Sequence, residues 1–188
     1  AVINTIGILA EAGSQRFQSL QAELPWRIGE RAARQKMSNV IHLSAIGADL
    51  NSPSLYARTK AQGEAALRTA FPDAVILRPS LVFGSGDGFF NRFAAMAVMA
   101  PGLPLIGGGN NKVQPVYVGD VAASVIAALT NPKAKGNTYE LGGPAVMRFR
   151  DAMAYILEQT KRRRLLIPVP HAVMTIAASA MAILPNPP

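Results

Sequence analysis

Asn39-Val40-Ile41-His42-Leu43-Ser44, followed across a short polar loop by Tyr56-Ala57-Arg58-Thr59-Lys60, sets the architecture of this chain. The first stretch is short, and Val40, Ile41 and Leu43 give it the apolar character of a buried strand. The loop after it carries Gly47, Asp49, Asn51 and Pro53. From Tyr56 to Ala70 the composition turns to Ala, Lys, Glu and Arg, with Ala61, Ala65 and Leu67 among the apolar positions, which predicts a helix. Phe71-Pro72-Asp73 ends it, and Ala74-Val75-Ile76-Leu77-Arg78 reads as the next strand, stopped by Pro79. Apolar strands alternating with helices indicate an α/β protein with a parallel sheet covered on both sides.

Outward from this unit the pattern continues. Val2 to Leu9 predicts a strand, and Phe17 to Arg34 a helix with Leu20, Leu24, Ile28 and Ala32 at four-residue spacing. Pro25 inside that helix implies a kink or break. After Gly84-Ser85-Gly86-Asp87-Gly88 the character changes to a helix over Phe89–Ala100, a Gly/Pro loop over Pro101–Asn111 and a strand over Val113–Val118. A helix over Asp120–Leu129, a short strand over Tyr139–Leu141 and a helix over Phe149–Thr160 follow.

The bulk composition narrows the function. The 188 residues include no cysteine, so disulfides and thiolate metal sites are excluded. His42 and His171 lack ligand-like spacing, and no metal site is expected. The net charge of +8 attracts anionic ligands and surfaces. The basic residues are dispersed apart from Lys161-Arg162-Arg163-Arg164, and aromatics are few, so nucleic acid is not favoured; an RNA-binding role would rest on charge alone. No targeting leader is read at the start. The apolar stretch Leu165–Leu184 is broken by Pro168 and Pro170, which leaves too short a run to span a bilayer.

Tyr56 and Lys60 share a helix face one turn apart, so the ammonium can lie near the phenol. A free tyrosine, with a pKa of about 10, is a poor acid or base at neutral pH. A neighbouring cation favours the phenolate and moves it toward the working range. Ser44, at the carboxyl end of its strand, is placed to face the crevice where open α/β sheets bind ligands. Tyr-x-x-x-Lys alone is weak, because both residues are ordinary on a helix surface. Here it follows a strand ending in Ser, and the next strand ends in Arg78-Pro79-Ser80 with Val82-Phe83-Gly84 behind it.

Together these features resemble the extended and atypical short-chain dehydrogenase/reductase superfamily. The resemblance implies a partial Rossmann fold, a doubly wound parallel sheet without its N-terminal βαβ units, carrying a smaller C-terminal α+β lobe. Residues 1–84 would be the C-terminal part of the NAD(P)-binding domain. Residues 85–188 would be mainly a substrate or partner lobe, interleaved with the sheet. It also implies that Ser44 orients substrate, Tyr56 is the acid/base, and Lys60 binds the nicotinamide ribose while tuning Tyr56. Asn4, Ile6 and Gly7, with Arg78, Pro79 and Ser80, would line the nicotinamide end of the cofactor. Arg78 has two open readings: a contact to substrate or phosphate, or a brace for the strand-to-loop turn.

A narrower likeness runs through Ile6-Gly7-Ile8-Leu9, His42-Leu43-Ser44-Ala45, Tyr56 to Glu64, Ala70-Phe71-Pro72, Gln114 to Val121 and Arg164 to Pro170. These segments resemble the subfamily containing the Rossmann-like accessory subunit of respiratory complex I and its bacterial relatives. That likeness implies NADP(H) in preference to NAD(H), held as a structural or sensing group. The alternative is an active NAD(P)-dependent oxidoreductase or nucleotide-sugar epimerase/dehydratase using Ser44, Tyr56 and Lys60. It implies a cytoplasmic location peripheral to the inner membrane, or the mitochondrial matrix in a eukaryote. The expected partners are the nicotinamide cofactor and a respiratory-complex or membrane-surface partner met through Lys161–Arg164 and Leu165–Leu184.

The superfamily opens with a strand and a Gly-x-x-Gly-x-x-Gly turn that holds the pyrophosphate. This chain has no such turn; Gly84–Gly88 and Gly107–Gly109 read as a connecting loop and a backbone bend. The expectation is a molecule longer than 188 residues, since Val2–Leu9 would otherwise present an unpaired apolar edge. An intact mass corresponding to these residues alone, for a soluble monomer, would refute it. Among other candidates, Asp120 reads as a helix N-cap. Asn91 and Arg92 read as a solvated helix face, His42 as a hydrogen-bonded core residue and His171 as a turn or surface residue.

Overall fold

The computed structural model describes residues 1–170. In chain order the elements are β1 (Val2–Asn4), α1 (Leu24–Arg34), β2 (Val40–Leu43), α2 (Leu55–Ala70), β3 (Val75–Pro79), β4 (Val82–Phe83) and α3 (Phe90–Met99). Then come β5 (Gly102–Ile106), β6 (Lys112–Val113), β7 (Val116–Tyr117), α4 (Val118–Thr130), β8 (Thr138–Leu141), β9 (Met147–Arg148), α5 (Phe149–Gln159) and β10 (Leu165–Val169). They form two compact units. The first is Ala1–Val82 with Val116–Gly143, and the second holds Phe83–Pro115 and the chain from Pro144.

In the first unit β1, β2, β3 and β8 make a parallel sheet in the order β1-β2-β3-β8. Neighbouring residues of β2 serve opposite faces. Val40 packs with Ala32, Leu67 and Ala74, beneath α1 and α2. Ile41 packs with Val75, Leu77 and Ala128, beneath α4. The doubly covered parallel sheet expected from the apolar strands is therefore present, with β1 at its edge.

The predicted strand Val2–Leu9 is shorter than its apolar run. Asn4 Oδ1 accepts the Ile6 N–H at 3.1 Å, which turns the chain, and Leu9 ends up exposed. The predicted helix Phe17–Arg34 is continuous, but it widens ahead of Pro25 instead of breaking there. Gln18–Glu23 forms a wide π-helical turn, and α1 then begins with Pro25 in its first turn. This turn packs closely on α2 because Gly63 has no side chain: a methyl there would overlap the Gln21 carbonyl oxygen.

In the second unit the Pro101–Asn111 loop of the sequence reading contains β5, which pairs in parallel with β10. Leu103 and Leu105 bury on one side of β5 against Phe149, Met153 and Ile156 of α5, with Leu166 of β10 packed on the same cluster. The non-local partner offsets the weak strand propensity of a segment containing glycine and proline. The predicted strand Val113–Val118 is divided by Pro115 into β6 and β7, and α4 begins at Val118. Asp120 is accordingly in the first turn of α4 rather than at its N-cap, where its charge still complements the helix dipole. Asp87 provides the cap for α3, accepting from the backbone N–H of Phe89 at 2.9 Å and from Phe90.

Candidate functional site

The carboxyl ends of three parallel strands bring the site together. Asn4 closes β1, Ser44 follows β2, and Pro79 closes β3, with Ser80 next. Backbone bonds hold these ends in register: Ser44 N–H donates to Leu77 O at 2.7 Å, Ile46 N–H to Pro79 O at 3.1 Å, and Ser80 N–H to Leu141 O at 2.8 Å. The start of α2 presents Tyr56 and Lys60 to the same region. Lys60 Nζ lies 6.0 Å from the centroid of the Tyr56 ring and donates to Leu43 O at 3.3 Å. A Cβ placed on Gly7 would come within 3.0 Å of Lys60 Nζ, so the bare backbone at Gly7 leaves the ammonium its room. The Phe17 ring meets the Tyr56 ring edge-on at 6.0 Å.

Ser44 is buried, and its Oγ has no hydrogen-bond partner among the described residues. A buried hydroxyl without a partner costs free energy unless a ligand or water completes it. Lys60 is also buried, and its one hydrogen bond to protein among the described residues uses one of three ammonium donors. Lys60 Nζ lies near the Tyr56 ring and on the carbonyl of Leu43, the residue that precedes Ser44 at the end of β2. Of the residues expected to line the cofactor, Asn4, Ile6 and Gly7 form the turn beside Lys60, while Pro79 and Ser80 carry backbone bonds that order the adjacent strand end.

Arg78 is engaged by protein. Its Nε and Nη2 donate to the two Glu64 oxygens at 2.9 and 2.6 Å, and Nη1 lies 3.7 Å from Glu140. These partners lie on α2 and β8, so the side chain ties β3 to those two elements. The Glu64 hydrogen bonds hold the Arg78 pKa above its ordinary value. Glu64 had no assigned role in the sequence reading. Its four-residue spacing from Lys60 was the available signal, whereas its partner in the next strand is a tertiary feature.

Burial changes the expected electrostatics of the pair. Desolvation raises the Tyr56 pKa and lowers that of Lys60, with the nearby Glu64 charge partly restoring the latter. The lowering of the tyrosine expected from spacing is thus outweighed: at 6.0 Å from the ring the ammonium counts for less than removal of the phenol from water.

Beneath the site runs a seam of buried polar side chains. Gln21 Nε2 donates to Ile8 O at 2.6 Å and Gln21 Oε1 accepts from Thr59 Oγ1 at 3.0 Å. Asn4 Nδ2 meets His42 Nδ1 at 2.9 Å. Because Asn4 Oδ1 is taken by Ile6 N–H, its amide faces His42 as a donor, so His42 Nδ1 accepts and Nε2 carries the proton. Burial and the Lys60 charge push the His42 pKa down to about 4. The unfolded chain therefore binds this proton first as pH falls. Stability supplied by neutral His42 is complete above about pH 6.5 and is lost as pH falls toward 4, by about 3 kcal/mol. Urea unfolding across that range should show the loss, and His42→Gln should flatten its histidine component. An NMR midpoint for His42 near its ordinary value would refute the expectation.

No helix among the described residues is long and apolar enough to cross a membrane, and no group of His, Cys, Asp or Glu among them is arranged to hold a metal ion.

Comparison with known proteins supports the same superfamily. Residues 47–183 match the family model described as RmlD substrate binding domain. The chain is 40% identical over 147 residues to the mitochondrial NADH dehydrogenase [ubiquinone] 1 alpha subcomplex subunit 9 of Arabidopsis thaliana, covering 77% of this chain and 37% of that protein. It is 36% identical over 173 residues to the Rattus norvegicus protein of the same name, covering 92% of this chain and 46% of the relative. The chain thus spans less than half the length of these two relatives. Among solved structures, UDP-glucuronic acid 4-epimerase from Bacillus cereus in complex with NAD matches with a TM-score of 0.76 at 18% identity, covering 90% of this chain and 62% of that one. At that identity the likeness is one of fold. With its parallel sheet and Tyr-x-x-x-Lys helix, the chain belongs to the RmlD substrate-binding-domain family of extended short-chain dehydrogenase/reductases and is related to the accessory subunit of respiratory complex I.

Proposed function

We propose that the first unit holds the nicotinamide-ribose end of an NADP(H) molecule kept as a structural or sensing group, in a protein that works within a respiratory assembly. The observation that carries this reading is Lys60, a buried ammonium beside Gly7 that uses one donor on Leu43 O and has two left for vicinal hydroxyls. The Ser44 hydroxyl, buried and without a partner, fits the same ligand end. The residues present therefore suit the ribose and nicotinamide, with Asn4, Ile6 and Gly7 on one side and Pro79 and Ser80 at the neighbouring strand end. The respiratory setting, at the inner membrane or in the matrix, and a partner-binding role for the second unit are drawn from likeness to the mitochondrial complex I subunits; the preference for NADP(H) is drawn from the subfamily resemblance of the sequence alone.

A second reading is favoured by the completeness of Ser44, Tyr56 and Lys60 as residue types. In it, the protein is an NAD(P)-dependent oxidoreductase or nucleotide-sugar epimerase/dehydratase. The nicotinamide, when bound, supplies or accepts hydride. Ser44 Oγ–H would orient the substrate oxygen, and the Tyr56 hydroxyl would give or take its proton. The Lys60 charge would oppose, in part, the rise in the Tyr56 pKa that burial causes.

Fluorescence titration of the full-length protein with NADPH separates the readings. Lys60→Met should weaken binding by tenfold or more, the cost of losing hydrogen bonds to a charged donor, about 1.5–3 kcal/mol. Tyr56→Phe should leave affinity within about twofold, and wild-type protein should not oxidise NADPH with simple carbonyls. A fall in kcat of about 10²–10⁴ in Tyr56→Phe would establish the second reading instead. Failure of wild-type protein to bind NADPH or NADH would overturn both.

A further inference from the structure

The sheet formed by β5 and β10 in the second unit is apolar on both faces, and among the described residues only one is covered. Leu103, Leu105 and Leu166 face the α3–α5 core. The alternate positions Leu165, Ile167 and Val169 of β10, with Gly102, Pro104 and Ile106 of β5, form the other face. Leu165 is 72% exposed and Ile167 46%. A Cβ on Gly102 would meet the Ile167 side chain, so Ile167 lies over Gly102 on this outer side. The end of α3 is joined to the same edge. Arg164 donates to Ala97 O at 2.8 Å and Val98 O at 3.4 Å, while Val98 and Met99 are themselves exposed.

The surrounding charge is of one sign. The chain enters β10 directly from Lys161, Arg162 and Arg163, all exposed and without an ion pair to another described residue. Their backbone is set by the end of α5: Lys161 takes a φ of 52°, and Arg162 N–H returns to Leu157 O at 2.9 Å. Arg164 is spent on capping α3, so the outward charge belongs to the other three. Over its described residues the second unit carries eight basic side chains against three acidic ones, Asp87, Asp151 and Glu158. No acidic residue falls between Glu158 and the end of β10, or between Asp87 and the end of β5.

We propose that the outer face of the β5–β10 sheet, with Lys161, Arg162 and Arg163 beside it, is a docking surface for an anionic lipid bilayer. Charge complementarity selects this occupant. A row of cations without acidic counterparts attracts anionic headgroups, and the flanking leucine and isoleucine gain by entering the interface. This inference is independent of nicotinamide binding, because every residue it uses lies in the second unit.

Co-sedimentation of the full-length protein with phosphatidylcholine vesicles, with and without phosphatidylglycerol, tests the proposal. Binding is expected only to the anionic vesicles, weakening as salt is raised. Arg162→Gln combined with Arg163→Gln should weaken partitioning about fivefold per charge removed. Leu165→Gln combined with Ile167→Gln should weaken it further with the circular dichroism spectrum and NADPH titration unchanged, since both side chains are solvent-facing. Equal binding to neutral vesicles, or indifference to both double variants, overturns the proposal. Absence of vesicle binding, with self-association abolished by the Leu165/Ile167 variant, also overturns it and assigns the face to a second copy of the chain.

Discussion

Alanine at position 63 is expected to lower the unfolding free energy by about 3 kcal/mol, and valine to lower it further. Gly63 lies inside α2, where an alanine ordinarily stabilises by about 1 kcal/mol. Here the added methyl would overlap the Gln21 carbonyl oxygen and come 3.1 Å from Pro25 Cγ. Those neighbours cannot step aside as a flexible side-chain end can. Gln21 belongs to the π-helical turn, and Pro25 has no N–H with which to engage its carbonyl in an ordinary helical turn. Relief requires α2 and the π turn to separate, which also breaks the Thr59–Gln21 hydrogen bond next to Lys60. NADPH affinity should therefore fall together with the urea midpoint. Gly88→Ala is the control: nothing lies within 4 Å of its Cβ position, and the expected change is within about 0.5 kcal/mol. An unchanged midpoint for Gly63→Ala would remove the packing argument.

Glu64→Gln should cost a similar amount, about 3 kcal/mol, by leaving Arg78 without its charged partner. The pair is largely shielded, with side-chain exposures of 8% for Glu64 and 24% for Arg78, so solvent does little to replace what is lost. Glu140→Gln removes a 3.7 Å contact from a side chain 58% exposed, and its effect should stay below about 1 kcal/mol. A functional signature distinguishes this from generic destabilisation. Burial has already lowered the Lys60 pKa, and the Glu64 charge opposes that shift. Ligand binding that needs the Lys60 ammonium is lost as pH rises through its folded-state pKa. Without Glu64 that loss must begin at lower pH. An alkaline limb of NADPH binding that does not move in Glu64→Gln would separate Glu64 from the site.

Much of the first unit could be read along the chain because its signals are local. Val40, Ile41, Val75, Ile76 and Leu77 are apolar in succession, which only a sheet covered on both faces accommodates. Tyr56 and Lys60 declare their common face by helical spacing. Strand ends were less legible: the apolar run at Val2–Leu9 has no sign that Asn4 turns the chain by accepting from Ile6. β5 was missed because Gly102 and Pro104 are poor strand residues in isolation, and their pairing partner is distant in sequence. Leu165–Val169 proved to be that partner. The rest of the segment expected to dock, from His171 to Leu184, lies outside the described residues.

The type of sheet, the helix carrying Tyr56 and Lys60, and the position of Ser44 at a strand end follow from hydrophobic period and helical spacing, which are properties of neighbouring residues. Tertiary structure decided the state of those groups. It buried Tyr56 and Lys60 enough to shift both away from easy ionisation, drew Arg78 onto Glu64, and left the Ser44 hydroxyl without a protein partner. Desolvation and long-range pairing depend on what the rest of the chain packs around a residue.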